Sequence, residues 1–456
     1  MKRFFVWLIL CYLRFWAHVA LTIHRPKIIG ITGSVGKSSC RNAIYAAIKN
    51  SFCTKMIEKG NSETGIPLGI VGRELHDYSL LDWLCVVTRA PCGIFNLRNT
   101  DVLIVEMGVD EPTPPKNMQH LLTIVKPDIA VLLNVYPVHT MQFEKILDAR
   151  DIHKTDEEKR SKILTTLACE KGKIITQSGC KTAIYNTDSP YMREILNTMK
   201  KQPKNLFSFG TSHDNTLFFK NYRVRLDGTS FTFAGNNTVE LFFKKYLLPK
   251  AYQEIFAATL LVGLSLGIDI SKIKTHLEDN FTLPAGRSTL LPGIKNTSII
   301  DSSYNASRAS TLAMLELVEN LKQQTGKQIV LIYGDMRELG ELAREEHQIV
   351  AEKIITIVDY LCCVGPLTKK YVIPFIEKHA GIVKKSVWME SAKKAGKWVA
   401  EKTPHNSIIL VKGSQNTIFL EEAIKPLLRD EEDVSHLCRQ ESYWMSKKEI
   451  YQTTSS

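Results

Sequence analysis

The sequence predicts an α/β protein. A larger P-loop unit with a mostly parallel sheet precedes a smaller Rossmann-like unit, and an apolar helix precedes both. Three observations predict this. Short apolar runs alternate with helical patterns from about residue 24 to residue 428, the signature of parallel strands joined by helices. A glycine-rich turn, Gly30–Ser39, lies between one apolar run and one helical pattern. The stretch Leu283-Pro-Ala-Gly-Arg287 breaks a helix and divides the alternation in two. The expected organisation is therefore 1–25 (apolar helix), 26–283, 284–428, and a polar, frayed tail at 429–456.

The composition fits. At ~150 residues per domain, 456 residues allow two or three cores, and 44% are hydrophobic. The 25 Gly and 17 Pro follow no period, which excludes collagen-like and low-complexity chains. A net charge of +12 favours anionic partners such as nucleotides, phosphorylated substrates or an acidic membrane surface. Nucleic acid is not expected, because the basic residues are dispersed and no aromatic-basic motif stands out. Ten Cys without a CxxC pair read as reduced cytosolic thiols, and the adjacent Cys362 and Cys363 as packing inside a strand.

Residues 4–23 (FFVWLILCYLRFWAHVALTI) are the one segment suited to meeting a membrane. Twenty residues are about enough to cross a bilayer, but Arg14 and His18 oppose burial in lipid. Its aromatic residues and flanking Lys2, Arg3, Arg25 and Lys27 suit an interface. A helix docked on the protein itself, a helix lying on a membrane and a crossing helix all remain open.

Residues 27–31 (KIIGI) read as a buried strand, and a helical pattern runs through Ile44, Ala47 and Ile48. Between them, Thr32-Gly33-Ser34-Val35-Gly36-Lys37-Ser38-Ser39 has the composition of a phosphate-binding loop. Its glycines let several backbone amides converge on phosphate oxygens, and the helix amino end adds a favourable dipole. Lys37 can reach the outer phosphates, and the Ser38 hydroxyl can ligate Mg²⁺. Asp101–Met107 is a second buried strand ending in Glu106, a carboxylate placed for a metal beside the loop. A third strand, Asp128–Asn134, leads through Val135-Tyr-Pro-Val to His139. Residues 152–167 form a charged helix carrying Lys154, Lys159 and Lys162, which by themselves read as a solvated face.

The order of these elements resembles the Mur ligase family, ATP-dependent amide-bond ligases of cell-wall precursor synthesis. The resemblance runs from about residue 26 to about 425. The loop is similar to TGxxGK(T/S). Gly60-Asn61-Ser-Glu-Thr64-Gly-Ile-Pro67 resembles a segment near the acyl substrate, and Glu106-Met-Gly108 a strand end. Lys126–Asn134 with His139 resembles KPDIAVxTNVxxxH. Gly286-Arg287, Asp301-Ser-Ser-Tyr304-Asn305, Gly334-Asp335-Met336 with Glu338, and Lys412-Gly413-Ser414 follow in the expected sequence. The set resembles the branch that adds D-alanyl-D-alanine to the UDP-muramoyl tripeptide.

The resemblance implies ATP and Mg²⁺ as cofactors. Glu106 and Ser38 would hold one Mg²⁺, and His139 a second together with a lysine carbamate, for which Lys159 is the candidate and Lys162 the alternative. Arg287 would contact the transferring γ-phosphate, and Asp301 and Asn305 would lie against the nucleotide. Asn61 and Thr64 would lie by the acyl substrate. Asp335, Lys412 and Ser414 would face the incoming amine or the nucleotide. The substrates would be a small-molecule or lipid-linked cell-wall precursor and an amino acid or dipeptide, joined through an acyl phosphate in the cytoplasm, at or away from the inner face of the membrane.

Three departures stand out. The family's amino-terminal UDP-binding domain has no room ahead of a loop that begins at residue 30, as in the related folylpolyglutamate synthases. Lys250 and Glu254 replace the His and Asn of an adenine-side motif. Ser302 and Arg308 replace an Asp and a Pro. A ligase for a folate-like or polyamide acid, or a membrane-associated nucleotide-binding scaffold, are the alternative expectations.

Overall fold

The computed structural model describes residues 2–58, 60–75, 79–136, 141–147, 151, 155–244, 246–337, 339–379, 381–414 and 417–454. The chain divides into two compact units. The first comprises Met1–Asn221, Phe231–Leu241 and Tyr252–Thr282; the second comprises Tyr222–Ser230, Phe242–Ala251 and Leu283–Ser456. The second unit thus begins at Leu283, as the Pro-Gly break suggests, but it also takes two earlier segments. Val224 and Leu247 explain why, since both are buried among the apolar side chains of its core.

The strands of the first sheet are β1 Lys27–Thr32, β2 Thr54–Met56, β3 Val102–Glu106, β4 Ile129–Leu132, β5 Thr182–Asn186, β6 Asn205–Gly210, β7 Leu217–Arg225, β8 Gly228–Ala234 and β9 Val239–Phe243. Their order is β2-β3-β1-β4-β5-β6-β7-β8-β9, and the pairings from β2 through β7 are parallel. Strands β1, β3 and β4 are apolar on both faces because helices cover both sides of a parallel sheet. The chain leaves β1 for β2 on one side, and later reaches β4 on the other. The segment after β1 therefore emerges where the strand order reverses, the usual ligand crevice of such sheets.

Six helices of this unit matter for the site: α1 Lys2–His24, α2 Lys37–Ile48, α3 Gly65–Ile70, α4 Leu80–Arg89, α5 Met118–Leu121 and α6 Asp156–Thr176. Helix α2 buries Cys40, Ala43, Ile44, Ala47 and Ile48, spaced to form one face. Helix α6 starts four residues later than expected and runs nine further, because a capping box between Thr155 and Glu158 sets its start. One face of the amino-terminal segment is docked on the protein. Leu13, Ala17 and Ala20 of α1 are fully buried.

The second sheet has β10 Thr289–Pro292, β11 Ser298–Ser302, β12 Ile329–Gly334, β13 Tyr360–Val364, β14 Lys385–Met389 and β15 Ile408–Lys412, in the order β10-β11-β15-β12-β13-β14. All pairings are parallel except that of β10 with β11. Cys362 and Cys363 are buried in β13, and all ten cysteines are free thiols.

The carboxy-terminal stretch corrects the sequence reading. Residues 429–456 were expected to fray, yet Leu437, Cys438, Arg439 and Lys448 are buried and a helix spans Ser442–Thr454. Arg439 donates to both oxygens of Glu421, through Nε at 3.0 Å and Nη2 at 2.8 Å. Lys448 bridges Glu421 at 2.8 Å and Glu422 at 2.7 Å. Polar composition suggested solvent, but these charges are buried in opposite-sign pairs.

Candidate phosphate-binding site

The turn after β1 has the geometry its sequence calls for. Gly36 caps α2 at φ 83°, a left-handed conformation that an L side chain adopts only with strain. Gly33 lies so close to β4 that a Cβ would stand 3.0 Å from that of Leu133. No side chain caps the amino end of α2. Its first-turn amides therefore point into the turn without a side-chain acceptor, the arrangement that binds anions.

The neighbouring strand ends fix the turn. Asn134 Oδ1 accepts from the amides of Ser34 and Val35, each at 3.0 Å, and the Thr32 hydroxyl donates to Met107 O at 2.8 Å. The Lys37 ammonium folds back onto the carbonyls of Gly33 at 3.0 Å and Ser34 at 3.4 Å. Burial lowers its pKa, opposed by the charges of Glu106 and Asp110. Ser39 follows in the first turn of α2.

At the end of β3, Ser38 Oγ donates to Glu106 Oε2 at 3.0 Å, while the Arg41 guanidinium holds Oε1 at 2.8 Å. The donor set fits Mg²⁺. Both are hard oxygens, and two adjacent ligands of an octahedral Mg²⁺ stand about 2.9 Å apart. Arg41 also donates to Ile57 O and Glu58 O, each at 2.8 Å, so the carboxylate is held from the far side by a fixed cation. Among the described residues no group of three or more His, Cys, Asp or Glu converges as a metal cluster.

Asn61 borders this strand end, its carbonyl accepting from Gly108 N at 2.8 Å. Thr64 precedes α3 in the same loop, which closes where a Cβ on Gly60 would stand 2.4 Å from Gly65 Cα. Glu254 takes the place of the expected adenine-side Asn. Its carboxylate accepts from Asn134 Nδ2 and the Tyr136 hydroxyl, each at 2.7 Å, and burial raises its pKa. Glu254 thus braces the residue that braces the loop.

His139 and Glu338 lie outside the described residues. Lys159 is half-buried in the first turn of α6, and Lys162 pairs with Asp151 at 2.6 Å. The lysine brought to the loop is Lys171, 4% exposed, which donates to Gly33 O at 3.3 Å. Burial, reinforced by the Lys37 charge, pushes its pKa down to about 7. A signal was present: Lys171 falls four residues after Leu167 and three before Ile174, on the buried stripe of α6.

In the second unit, Asp301, Asp335 and Lys412 lie at the carboxyl ends of the adjacent strands β11, β12 and β15. Their side chains are bonded inward rather than presented to a ligand. Asp335 accepts from Leu367 N at 3.1 Å and Thr368 N at 2.8 Å. The Lys412 ammonium donates to Asn305 O at 2.6 Å, and burial lowers its pKa to about 7. Ser414 donates to Ala306 O at 3.3 Å and accepts from Arg337 N at 3.1 Å. Asp301 Oδ1 accepts from Ser303 N at 3.0 Å, while Oδ2 has no partner among the described residues, and burial raises the carboxyl to about 6. The exposed groups of this edge are Arg287, stacked 4.7 Å over the Tyr304 ring, and the Asn305 side chain.

Residues 286–415 match the family profile "Mur ligase, glutamate ligase domain". The UDP-N-acetylmuramoyl-tripeptide–D-alanyl-D-alanine ligase of Buchnera aphidicola subsp. Baizongia pistaciae is 24% identical over 359 residues, 77% of this chain. The chain is similar to Mur ligases over most of its length, and to the family's glutamate ligase domain over residues 286–415. It spans 66% of the length of that relative, just under two thirds. The crystal structure of a MurF ligase from Thermotoga maritima in complex with ADP shares the fold at TM-score 0.65 and 22% identity, covering 93% of this chain and 84% of that one. A folylpolyglutamate synthase from Thermotoga maritima has TM-score 0.55 and 14% identity, covering 91% and 95%. The fold is therefore that of the Mur ligases and their relatives.

Proposed function

We propose that this chain is an ATP-dependent amide-bond ligase. It activates a carboxylate of a peptidoglycan precursor as an acyl phosphate and joins it to a dipeptide or amino acid, with D-alanyl-D-alanine the first amine to test. The observation that carries the proposal is the Ser38–Glu106 oxygen pair beside an uncapped α2. Both relatives named for this branch, one of them holding ADP, support the choice of reaction and nucleotide.

ATP with Mg²⁺ would supply the phosphoryl group and the charge neutralisation of its transfer. The chain's own residues do the rest. The α2 amides and Lys37 bind and orient the phosphates, and Ser38 and Glu106 offer oxygens to the metal. Lys171, its pKa lowered to about 7 so that a large share is uncharged at pH 7, is the lysine to carry a carbamate, since only an uncharged amine adds CO₂. That gain would turn a second cation beside Lys37 into an anion able to bind metal. Arg287 and Asn305, exposed in the second unit, are the groups there to contact nucleotide. The site of action is the cytoplasm, with residues 4–23 meeting the inner face of the membrane.

ADP release with UDP-muramoyl tripeptide and D-alanyl-D-alanine, each omitted in turn, tests the reading: release should require both. The coverage of 95% of a folylpolyglutamate synthase favours one second reading, a folate-like or polyamide acid. Release with such an acid and glutamate, but not with the muramoyl peptide, selects it. Nucleotide binding without release for any acid–amine pair leaves a scaffold.

A further inference from the structure

We propose that α1, α4 and the turn Pro91–Leu97 together form a flat platform that seats the first unit on an anionic lipid bilayer, with α1 lying along the surface rather than crossing it. This sharpens the membrane contact above, and vesicle binding tests it without any turnover. The first observation is the way α1 is fastened. Its inner face packs Leu13 against Leu68, Val86 and Ala90. The Tyr12 hydroxyl donates to Val87 O of α4 at 3.1 Å, and His24 Nε2 to Ile94 O at 2.9 Å. On the opposite flank His18 Nε2 donates to Thr123 O at 2.9 Å. A helix crossing a membrane would have to give up this packing and all three bonds.

The second observation is what the fastening leaves outside. Trp7, Leu8, Phe15 and Ile23 of α1 are exposed. On α4, Val86 and Ala90 face the shared inner cluster, so Leu81, 78% exposed, and Leu84 face away from it. Beside the His24–Ile94 bond stands Phe95, 65% exposed. Three neighbouring elements thus turn large apolar side chains outward over one inner layer, more than scattered surface residues account for.

Charge selects the occupant. The platform's own elements carry Lys2, Arg3, Arg14 and Arg89 against one carboxylate, Asp82, and Arg25 follows α1 directly. Arg14, His18 and Lys126 also line a cavity of about 410 Å³ along the α1 flank, placed for an acidic headgroup. A second copy would set cation against cation around the same face, whereas anionic lipid complements it. Apolar and aromatic groups at the interface with flanking cations are the pattern of helices that lie in a membrane surface.

The test uses the full chain with vesicles of phosphatidylcholine, with and without phosphatidylglycerol. The chain should sediment with the anionic vesicles, bind less at high salt and leave them in alkaline carbonate. The Leu81→Glu/Leu84→Glu double variant should bind at least tenfold less. Arg14→Gln should lower binding to anionic vesicles by about fivefold, the effect of one surface cation. Circular dichroism should show both variants folded, because the altered side chains do not sit in the core. Failure to bind, binding indifferent to the α4 changes, or carbonate-resistant binding would each overturn the proposal. Dimerisation that the double variant abolishes, without vesicle binding, would also overturn it and assign the face to a second copy.

Discussion

Two buried lysines, each with its pKa lowered to about 7, stand at the carboxyl edges of the two sheets, and their surroundings differ. Lys171 meets a second lysine and the carbonyl of a glycine-rich turn, beside amides that no side chain caps. Lys412 is held by Asn305 O, with Arg287 and Asp301 the charges that act on it, and elsewhere in this unit Asp335 is fixed by two amides and Glu421 by Arg439 and Lys448. The first edge keeps polar groups on carbonyls that an anion could replace. The second spends its polar groups on holding loops. Homologous-looking motifs can thus serve binding in one place and shape in the other, and substitution at each edge separates the two.

The largest expected effect is structural and falls in the second unit. Arg439→Ala leaves the buried Glu421 with one cation instead of two, and strips the carbonyls of Ser303 and Tyr304 of their donor. Breaking a buried pair of this kind costs about 3–5 kcal/mol, to be read from the urea midpoint. An unchanged midpoint would mean that the tail does not hold this edge. In the first unit the balance reverses. Lys37→Ala should slow ADP release by about 10²–10³-fold, as when one preorganised charge contact is lost, with little change in the thermal midpoint. Normal turnover would remove the loop from the chemistry.

Lys171 comes next. Lys171→Met should lower turnover by about 10²-fold. In the wild type, stripping bicarbonate should lower activity reversibly, and ¹³C-bicarbonate should give a carbamate resonance that the variant lacks. Because the amine titrates near 7, carbamate formation should fall as pH drops below that value. A variant that keeps both activity and the resonance would return the role to another lysine.

These contrasts also mark what the sequence made legible. The loop could be read because its residues are consecutive: strand, glycines, Lys37 and Ser38 define their own geometry. Strand Tyr360–Val364 matches its apolar run for the same local reason. Lys171 was harder, because its burial depends on which face of α6 packs on the sheet, and neighbouring lysines masked it. The tail was opaque in sequence. Arg439 and Lys448 find Glu421 and Glu422 from 18 and 26 positions away, and nothing local shows that these charges are paired. The inward bonding of Asp335 was hidden likewise, since its amide donors come from residues 367 and 368.

Asp301 gives the smallest effect and the finest separation of the two edges. Its carboxyl is raised to about 6 by burial, against an unfolded value of about 3.9. Between those values the folded chain holds a proton that the unfolded chain has released. Stability contributed by this group is therefore full below the unfolded value, declines as pH rises through that window, and is flat above it. The decline amounts to about 1–3 kcal/mol. Asp301→Asn, which keeps an acceptor for Ser303 N, should flatten that slope and leave the chain at pH 7.5 at least as stable as the wild type. Urea midpoints at pH 5 and pH 7.5 measure both. If the variant is instead less stable at pH 7.5, the charge is needed where it stands, and Lys412 and Arg439 are its partners. The second edge would then carry a working anion and resemble the first more closely than its hydrogen bonds suggest.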